Sequence, residues 1–469
     1  MTLVSEKPTP GESVPSGASI SGGQWIDHWE PEDETFWEKT GKKVANRNLW
    51  FSVFAEHLGF NVWVLMSIVV VYLDQVGIAF SASQIFWLLI VPNLVGAALR
   101  VPYTFAVPKF GGRAFTTFSA GALLIPTSML AYAVTTGAPY WFFLLTAALM
   151  GLGGGNFSSS MANISFFFPE KKKGLALGIN AAGGNIGVAV SQLLVPFVIS
   201  LGTGIDLIWA ALIWMPFIVV GAIGSFFFMN SLTAAKPDKD SYKLALQNRQ
   251  TWIMAFLYVG TFGSFIGYSF AFPTLIKLEF MDLGFGGWVR MAFLGALIGS
   301  ISRPFGGWLA DRVGGAKITL LAFGAMAIGT MTALLAVSIG NFWLFFAAFV
   351  ALFILSGVSN GSAYRMIPLI FSAQTRAQVA EFGGDLSDEL KRSKRRAAAA
   401  VGVIGAAGAF GGVLVNLTFK QSVAMAGTLV PALLVITGFY LVCGAVTWWF
   451  YLRSSFAIER VPNLAYANV

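Results

Sequence analysis

Long apolar runs alternate with short polar breaks through most of this 469-residue chain. Twelve runs can be drawn, at 48–77, 82–105, 114–136, 140–168, 174–201, 206–231, 250–276, 288–310, 316–338, 341–371, 397–420 and 427–452. Each supplies the ~20 residues that a helix needs to cross a hydrocarbon core ~30 Å thick. The pattern predicts an all-α membrane protein of twelve transmembrane helices. A polar stretch at 230–249 splits the runs six and six. The expected organisation is an N-terminal segment 1–47, a six-helix bundle 48–231, a linker 232–249, a second bundle 250–453 and a tail 454–469.

An internal repeat supports two pseudo-symmetric bundles. "RVPYTFAVPKFGG" begins at Arg100 and "RPFGGWLADRVGG" at Arg303, 203 residues later. Gly111 and Gly112 stand at the same offset from Gly314 and Gly315. "AAGGNIGV" from Ala181 resembles "AAGAFGGV" from Ala406 at an offset of 225, and the long break before the eleventh run absorbs the difference. Matched halves are a mark of transporters that bind substrate between the halves near the membrane midplane.

Composition narrows the class. Only 11% of residues are charged, against about a quarter in soluble domains, and mean hydropathy is +0.71. One cysteine, Cys443, excludes an intrachain disulfide and a Cys-rich metal site, and His28 and His57 are too few for a histidine-rich one. No cofactor is expected. Residues 1–47 lack the apolar core of a signal peptide. The net charge of +8 is no nucleic-acid footprint, because the basic residues flank apolar runs. They gather at 39–47, 109–113, 171–173, 236–249, 312–317, 376–396 and 453–460, while the opposite side holds Lys277, Arg290 and Lys420. The positive-inside rule then puts both termini in the cytoplasm. The mixed-charge stretch 375–396 reads as a solvated helix and turn.

A few ionisable residues fall inside the runs, where charge is costly and functional by default. Arg100 and Arg303 each lie nine residues from a basic residue at the cytoplasmic edge, as do Glu56 and Tyr258. At ~1.5 Å per residue all four sit roughly 13 Å deep, near the midplane. Two arginines at matched depth in matched halves are expected to face one cavity and to hold a small anion between them. The competing reading pairs each with a backbone carbonyl or a local carboxylate. A planar, permanently charged guanidinium suits flat oxyanions.

"GGWLADRVGG" resembles the loop motif of the major facilitator superfamily, in which the Asp and Arg lock neighbouring helix ends. Asp311 and Arg312 match it, whereas the first-half copy has Pro108 where the Asp would stand. "WEPEDETFWEKTGKKVANRNLW", "GAALRVPY", "GGGNFSSSMANISFFFP", "LGINAAGGNIGV", "TFGSFIGY" and "GAFGGVLVNLTFK" closely resemble the nitrate/nitrite porter family, from about Trp25 to the C-terminus. The resemblance implies the major facilitator fold and nitrate and nitrite as substrates. It makes Arg100 and Arg303 the substrate clamps, Phe157 a ring contact, Tyr258 a hydroxyl donor and Asn185 an amide donor. Phe157 by itself would read as packing. In this fold the tenth helix lines the cavity, so Asn360, Ser362 and Tyr364 join the candidates, and Asn180 stands beside Asn185. Arg365 has two readings, reaching toward the cytoplasm or pairing with an acid such as Glu56. Gly183 and Gly187, like Gly408 and Gly412, are spaced for close helix approach. They are read as surfaces on which the halves slide, against static packing.

The family contains nitrate/nitrite exchangers and nitrate/proton symporters, and "AEHLGFNVW" on the first helix resembles the symporters. Nitrate bound at the arginines would offset their charge and favour a proton on a nearby carboxylate, so that anion and proton bind cooperatively. Glu56 is thus read as the proton carrier with His57 tuning it. The alternative makes Glu56 a structural partner of an arginine. The expectation is nitrate import with protons across a bacterial cytoplasmic membrane by a multi-pass monomer, with nitrate/nitrite antiport as the rival and a non-transporting nitrate sensor as a remote one. No nucleotide loop, metal cluster or catalytic triad supports an enzyme.

Overall fold

The computed structural model describes residues 20–235, 239–454, 464–465 and 469. Residues 1–19, Lys236 and most of the expected tail, with Arg460, lie outside the described residues.

Twelve long helices run in order among the described residues: α1 Glu34–Val76, α2 Ala82–Phe110, α3 Gly112–Thr136, α4 Tyr140–Phe167, α5 Glu170–Val198, α6 Ile208–Phe228, α7 Arg249–Gly284, α8 Phe293–Val313, α9 Gly315–Ser338, α10 Phe342–Phe382, α11 Leu386–Ala426 and α12 Val430–Tyr451. Eleven are long and apolar enough to cross a membrane. The other, α8, is 21 residues long, and Ser300, Ser302, Arg303, Asp311 and Arg312 dilute its apolar content. A short linker helix, Lys239–Gln247, precedes α7.

Local chemistry sets the helix ends. Ser81 and Gln84 form a reciprocal capping box at the start of α2, which satisfies two otherwise orphaned N–H groups. Asn341 caps α10 through the Leu344 N–H at 3.0 Å. The mixed-charge stretch is helical on both flanks, so α10 and α11 reach 41 residues each. The break between them holds Gly383 and Gly384, whose φ angles are 78° and 126°, and Asp385 caps the start of α11. The helix start at Glu34 also precedes the apolar run. Trp37 buries its ring there, 5.6 Å from Phe168. A two-residue parallel pair ties the start of the chain to the end of the first bundle. In it β1 (Trp25–Ile26) lies along β2 (Ser231–Leu232).

Packing repeats between the halves. The pairs α2–α4, α1–α5 and α3–α6 correspond to α8–α10, α7–α11 and α9–α12, and the halves meet through α2–α11 and α5–α8. The turns after α2 and α8 use Gly111 and Gly314 at φ 84° and 100°, a conformation that L side chains avoid. That accounts for their places in the sequence repeat.

Glycines let the buried backbones touch. A Cβ on Gly153 of α4 would stand 2.1 Å from the Gly59 carbonyl of α1, and one on Gly361 of α10 would stand 2.0 Å from the Arg303 carbonyl of α8. The expected sliding surfaces need correction. Gly183 meets Val53, and Gly187 meets the His57 backbone and Asn61, all on α1 of the same half. Gly408 meets Tyr258 and Phe262, again within its own half. Of the four, Gly412 reaches across, to Asn93 of α2.

Gly153→Val should destabilise the protein by roughly 1–3 kcal/mol, as overpacking of a close contact does. Gly438→Ala, in open space within α12, should leave stability unchanged or raise it by up to about 1 kcal/mol. Thermal unfolding in detergent checks both, and equal melting temperatures would refute the close-approach account.

Candidate functional site

The matched arginines come together where the halves meet. Arg100 of α2 is fully buried. Its Nε donates to the Gly154 carbonyl of α4 at 3.3 Å, and Nη1 donates to the Gly405 carbonyl of α11 at 2.9 Å, across the boundary. Three rings surround its guanidinium: Phe157 at 4.6 Å, Phe262 at 5.0 Å and Trp63 at 5.7 Å. Such faces stabilise a cation through the ring quadrupole. Arg303 of α8 is also buried. Its Nη2 donates to the Tyr258 hydroxyl at 3.3 Å, and the Tyr364 ring lies 5.6 Å away.

A π-helical turn at Val259–Gly263 interrupts α7. It leaves Tyr258 and Phe262 stacked at 5.6 Å, and Phe262 stacks in turn on Phe157 at 6.4 Å. These rings run from one guanidinium to the other. Each guanidinium keeps one terminal nitrogen, Arg100 Nη2 and Arg303 Nη1, buried without a protein partner. Leaving charged donors unpaired is costly, and both nitrogens have the chemistry to donate to the oxygen atoms of a small anion.

Glu56 of α1 is the one fully buried carboxylate among the described residues. Its Oε2 accepts from Ser160 Oγ of α4 and from Asn180 Nδ2 of α5, the latter at 2.6 Å. Oε1 has no partner and faces Gly184, where a Cβ would stand 2.4 Å away. Arg100 and Arg303 both act on Glu56 electrostatically, yet neither forms an ion pair with it. His57 points elsewhere, with Nδ1 3.0 Å from the Gly183 carbonyl.

Away from the site, on the side opposite the linker, the halves are joined by Lys277 and Asp74 at 2.7 Å and by Gln192 donating to the Ser269 carbonyl at 2.7 Å, and at the site itself Trp63 packs against Phe270.

Comparison with known proteins places this geometry. Residues 49–383 match the Major Facilitator Superfamily. Nitrate/nitrite transporter NarU of Escherichia coli strain K12 is 41% identical over 450 residues, covering 92% of this chain and 96% of that one. The chain belongs to the nitrate/nitrite porter family of the major facilitator superfamily. A Thermus thermophilus relative named "Probable nitrate/nitrite antiporter NarK2" is 37% identical over 377 residues, 74% of this chain and 83% of the other. A crystal structure of nucleoside transporter NupG shares the fold at TM-score 0.59 and 11% identity, covering 86% of this chain and 99% of that one. An inward-facing, unoccupied bacterial homologue of the lysosomal transporter Spinster shares it at TM-score 0.53 and 15% identity, covering 91% and 96%. These relatives are membrane transporters, not enzymes.

Within this porter Arg100, Arg303, Phe157 and Tyr258 stand together. The carbonyl reading of Arg100 also holds in part, since two of its nitrogens meet carbonyls. Asn185 and Asn360 are buried, each with an unpartnered Oδ1. Asn180 is turned to Glu56 rather than left free for an anion. Ser362 does not line the site: its hydroxyl donates to the Gly315 carbonyl at 2.7 Å and meets Thr319, so it fastens α10 to α9. Arg365 does not reach Glu56 but pairs with Asp311 at 2.5 Å, linking α10 to α8. Arg312 instead lies 4.1 Å over the Trp308 ring. Sequence reading missed Ser160, Phe262 and Trp63. The first two lie one helical turn beyond Phe157 and Tyr258, a spacing that puts them on the same face.

Arg100→Met and Arg303→Met should each melt at or above the wild-type temperature. Each removes a buried charge and its repulsion from the other, and apolar replacement of buried charge is often neutral or stabilising. A drop of more than about 2 kcal/mol in unfolding free energy, the scale of a structural hydrogen bond to a charge, would make these arginines scaffolding.

Proposed function

We propose that this porter imports nitrate across the cytoplasmic membrane together with protons by alternating access, and that it also accepts nitrite. Arg100 and Arg303 clamp the anion, Phe157 lies against its face, and Tyr258, Asn185 and Asn360 complete its hydrogen bonds. Glu56 carries the proton. The moving bodies are residues 48–231 and 250–453, and the loop charges favour cytoplasmic termini. The protein acts as a monomer in the bilayer, with nitrate, nitrite and protons as its partners.

The substrate is supported by the names of the relatives and by the unpaired guanidinium nitrogens. Proton coupling rests on one observation: a single buried carboxylate, hydrogen-bonded only to neutral side chains, lies within the electrostatic reach of both clamps. A partner arginine would hold that carboxylate ionised, whereas neutral partners leave it free to titrate. Bound nitrate offsets the clamps' charge and strengthens proton binding, and by linkage the proton strengthens nitrate binding. Entry of one negative charge against ~150 mV, negative inside, costs about 3.5 kcal/mol. One proton cancels that cost and a second makes entry favourable. The second reading is nitrate/nitrite antiport, favoured by the name of the Thermus relative.

In liposomes with an internal pH dye, clamped voltage and no internal anion substrate, external nitrate should acidify the lumen. Glu56→Gln should abolish that acidification. Uptake that requires preloaded nitrite and ignores Glu56→Gln would establish antiport. Arg303→Lys should slow uptake at least ~10-fold, because a point charge does not replace a planar fork.

A further inference from the structure

The partners of Glu56 have a property that its burial alone does not require. Ser160 Oγ and Asn180 Nδ2 both reach Oε2, and Asn180 Nδ2 lies 2.7 Å from Ser160 Oγ, so the three side chains form a closed triangle from α1, α4 and α5. Two oxygens of the triangle, Glu56 Oε1 and Asn180 Oδ1, are buried without partners. An ionised carboxylate only accepts hydrogen bonds, while a protonated one must also donate. Lysine and arginine only donate and would suit the ionised form alone. A hydroxyl and a carboxamide do both.

We propose that Ser160 and Asn180 are the positioning residues of the proton site, presenting donors to ionised Glu56 and an acceptor to protonated Glu56. This rests on the reading of Glu56 as the proton carrier. With Glu56 ionised, Ser160 Oγ–H and Asn180 Nδ2–H donate to Oε2, for which both donor atoms are in place. When a proton arrives from water on one side, it becomes the O–H of the carboxyl group. That O–H then donates to Asn180 Oδ1 after the amide turns over, or to Ser160 Oγ.

The displaced Ser160 hydroxyl hydrogen has a second acceptor in place, the Phe157 carbonyl at 3.2 Å. Each state therefore finds a hydrogen-bond partner for Oε2 or the new O–H without moving a helix, and the proton returns to water on the other side by the reverse path. The absent Cβ of Gly184 leaves Oε1 the room this exchange needs. The other charged or titratable groups facing the triangle are Arg100 on α2, Arg303 on α8 and Tyr364 on α10. His57 neighbours it on α1 with its Nδ1 committed to the Gly183 carbonyl.

The test is the pH profile of nitrate-driven lumen acidification in liposomes, for wild type, Ser160→Ala, Ser160→Thr and Asn180→Leu. Removing a donor to the ionised form makes proton release harder. Ser160→Ala and Asn180→Leu should each move the midpoint of the profile to higher pH by about one unit, the scale of one hydrogen bond. Proton release inside should slow, while nitrate-induced thermal stabilisation persists. Ser160→Thr, which keeps the hydroxyl, should restore the wild-type midpoint.

If Ser160→Ala does not fold, Ser160→Cys, close in size but a weak donor, takes its place with the same expected shift. Wild-type acidification with unshifted midpoints in the Ala or Cys and Leu variants would overturn this proposal alone. Absence of coupled acidification in wild type would overturn the proton reading beneath it.

Discussion

Two buried guanidiniums at the junction of two apolar bundles set the terms for the rest of this molecule. Like charges in a poorly screened interior repel strongly, and a guanidinium is by nature a persistent cation. The protein answers with partial measures. Carbonyls of Gly154 and Gly405 take two nitrogens of Arg100, the Tyr258 hydroxyl takes one of Arg303, and ring faces lie over the guanidinium planes. None of these partners carries a negative charge. Glu56 supplies the nearest one and is kept from direct contact. The site is left short of negative charge, and on the proposed function an anionic substrate makes up that deficit.

Holding such a site in place demands rigid surroundings, and the close helix contacts provide them. The Arg303 carbonyl lies against Gly361, so the turn of α8 that carries the guanidinium is pressed onto α10. Gly153 and Gly59 bring α4 against α1, which sets Phe157 and Ser160 on one helix within reach of Arg100 and Glu56 on two others. The proposed anion and proton sites therefore share α4, with Phe157 and Ser160 separated by less than one helical turn.

Much of this was legible in the sequence for plain reasons. Twelve apolar runs give twelve helices because hydrocarbon tolerates little else. Matched depth from the charged edge identified Arg100 and Arg303 because helix rise is constant. Spacing cannot name the neighbour on the far side of a contact. Ser160 and Asn180 meet Glu56 from 104 and 124 residues away. Small-residue motifs marked helix faces that pack closely, yet Gly183 and Gly187 turned out to face α1 rather than the other half. Ser362 and Arg365 sit on a helix that does border the site, but its rotation directs them to Gly315 and Asp311. The charged stretch between the tenth and eleventh apolar runs was read as a helix and turn, and its helical flanks prove continuous with α10 and α11.

The short β1–β2 pairing gives the linker a fixed point of departure. Leu232 is fastened to Ile26, and α7 begins at Arg249, so one tether of defined length joins the bundles. The nine residues of the linker helix shorten that tether, since a helix advances ~1.5 Å per residue where extended chain advances ~3.3 Å. The helix also leans on both bundles, with Tyr242 against Phe105 of α2 at 4.7 Å and beside Gly402 of α11. If the bundles rock as proposed, unwinding this helix would lengthen the reach between them, and keeping it wound would limit how far they part.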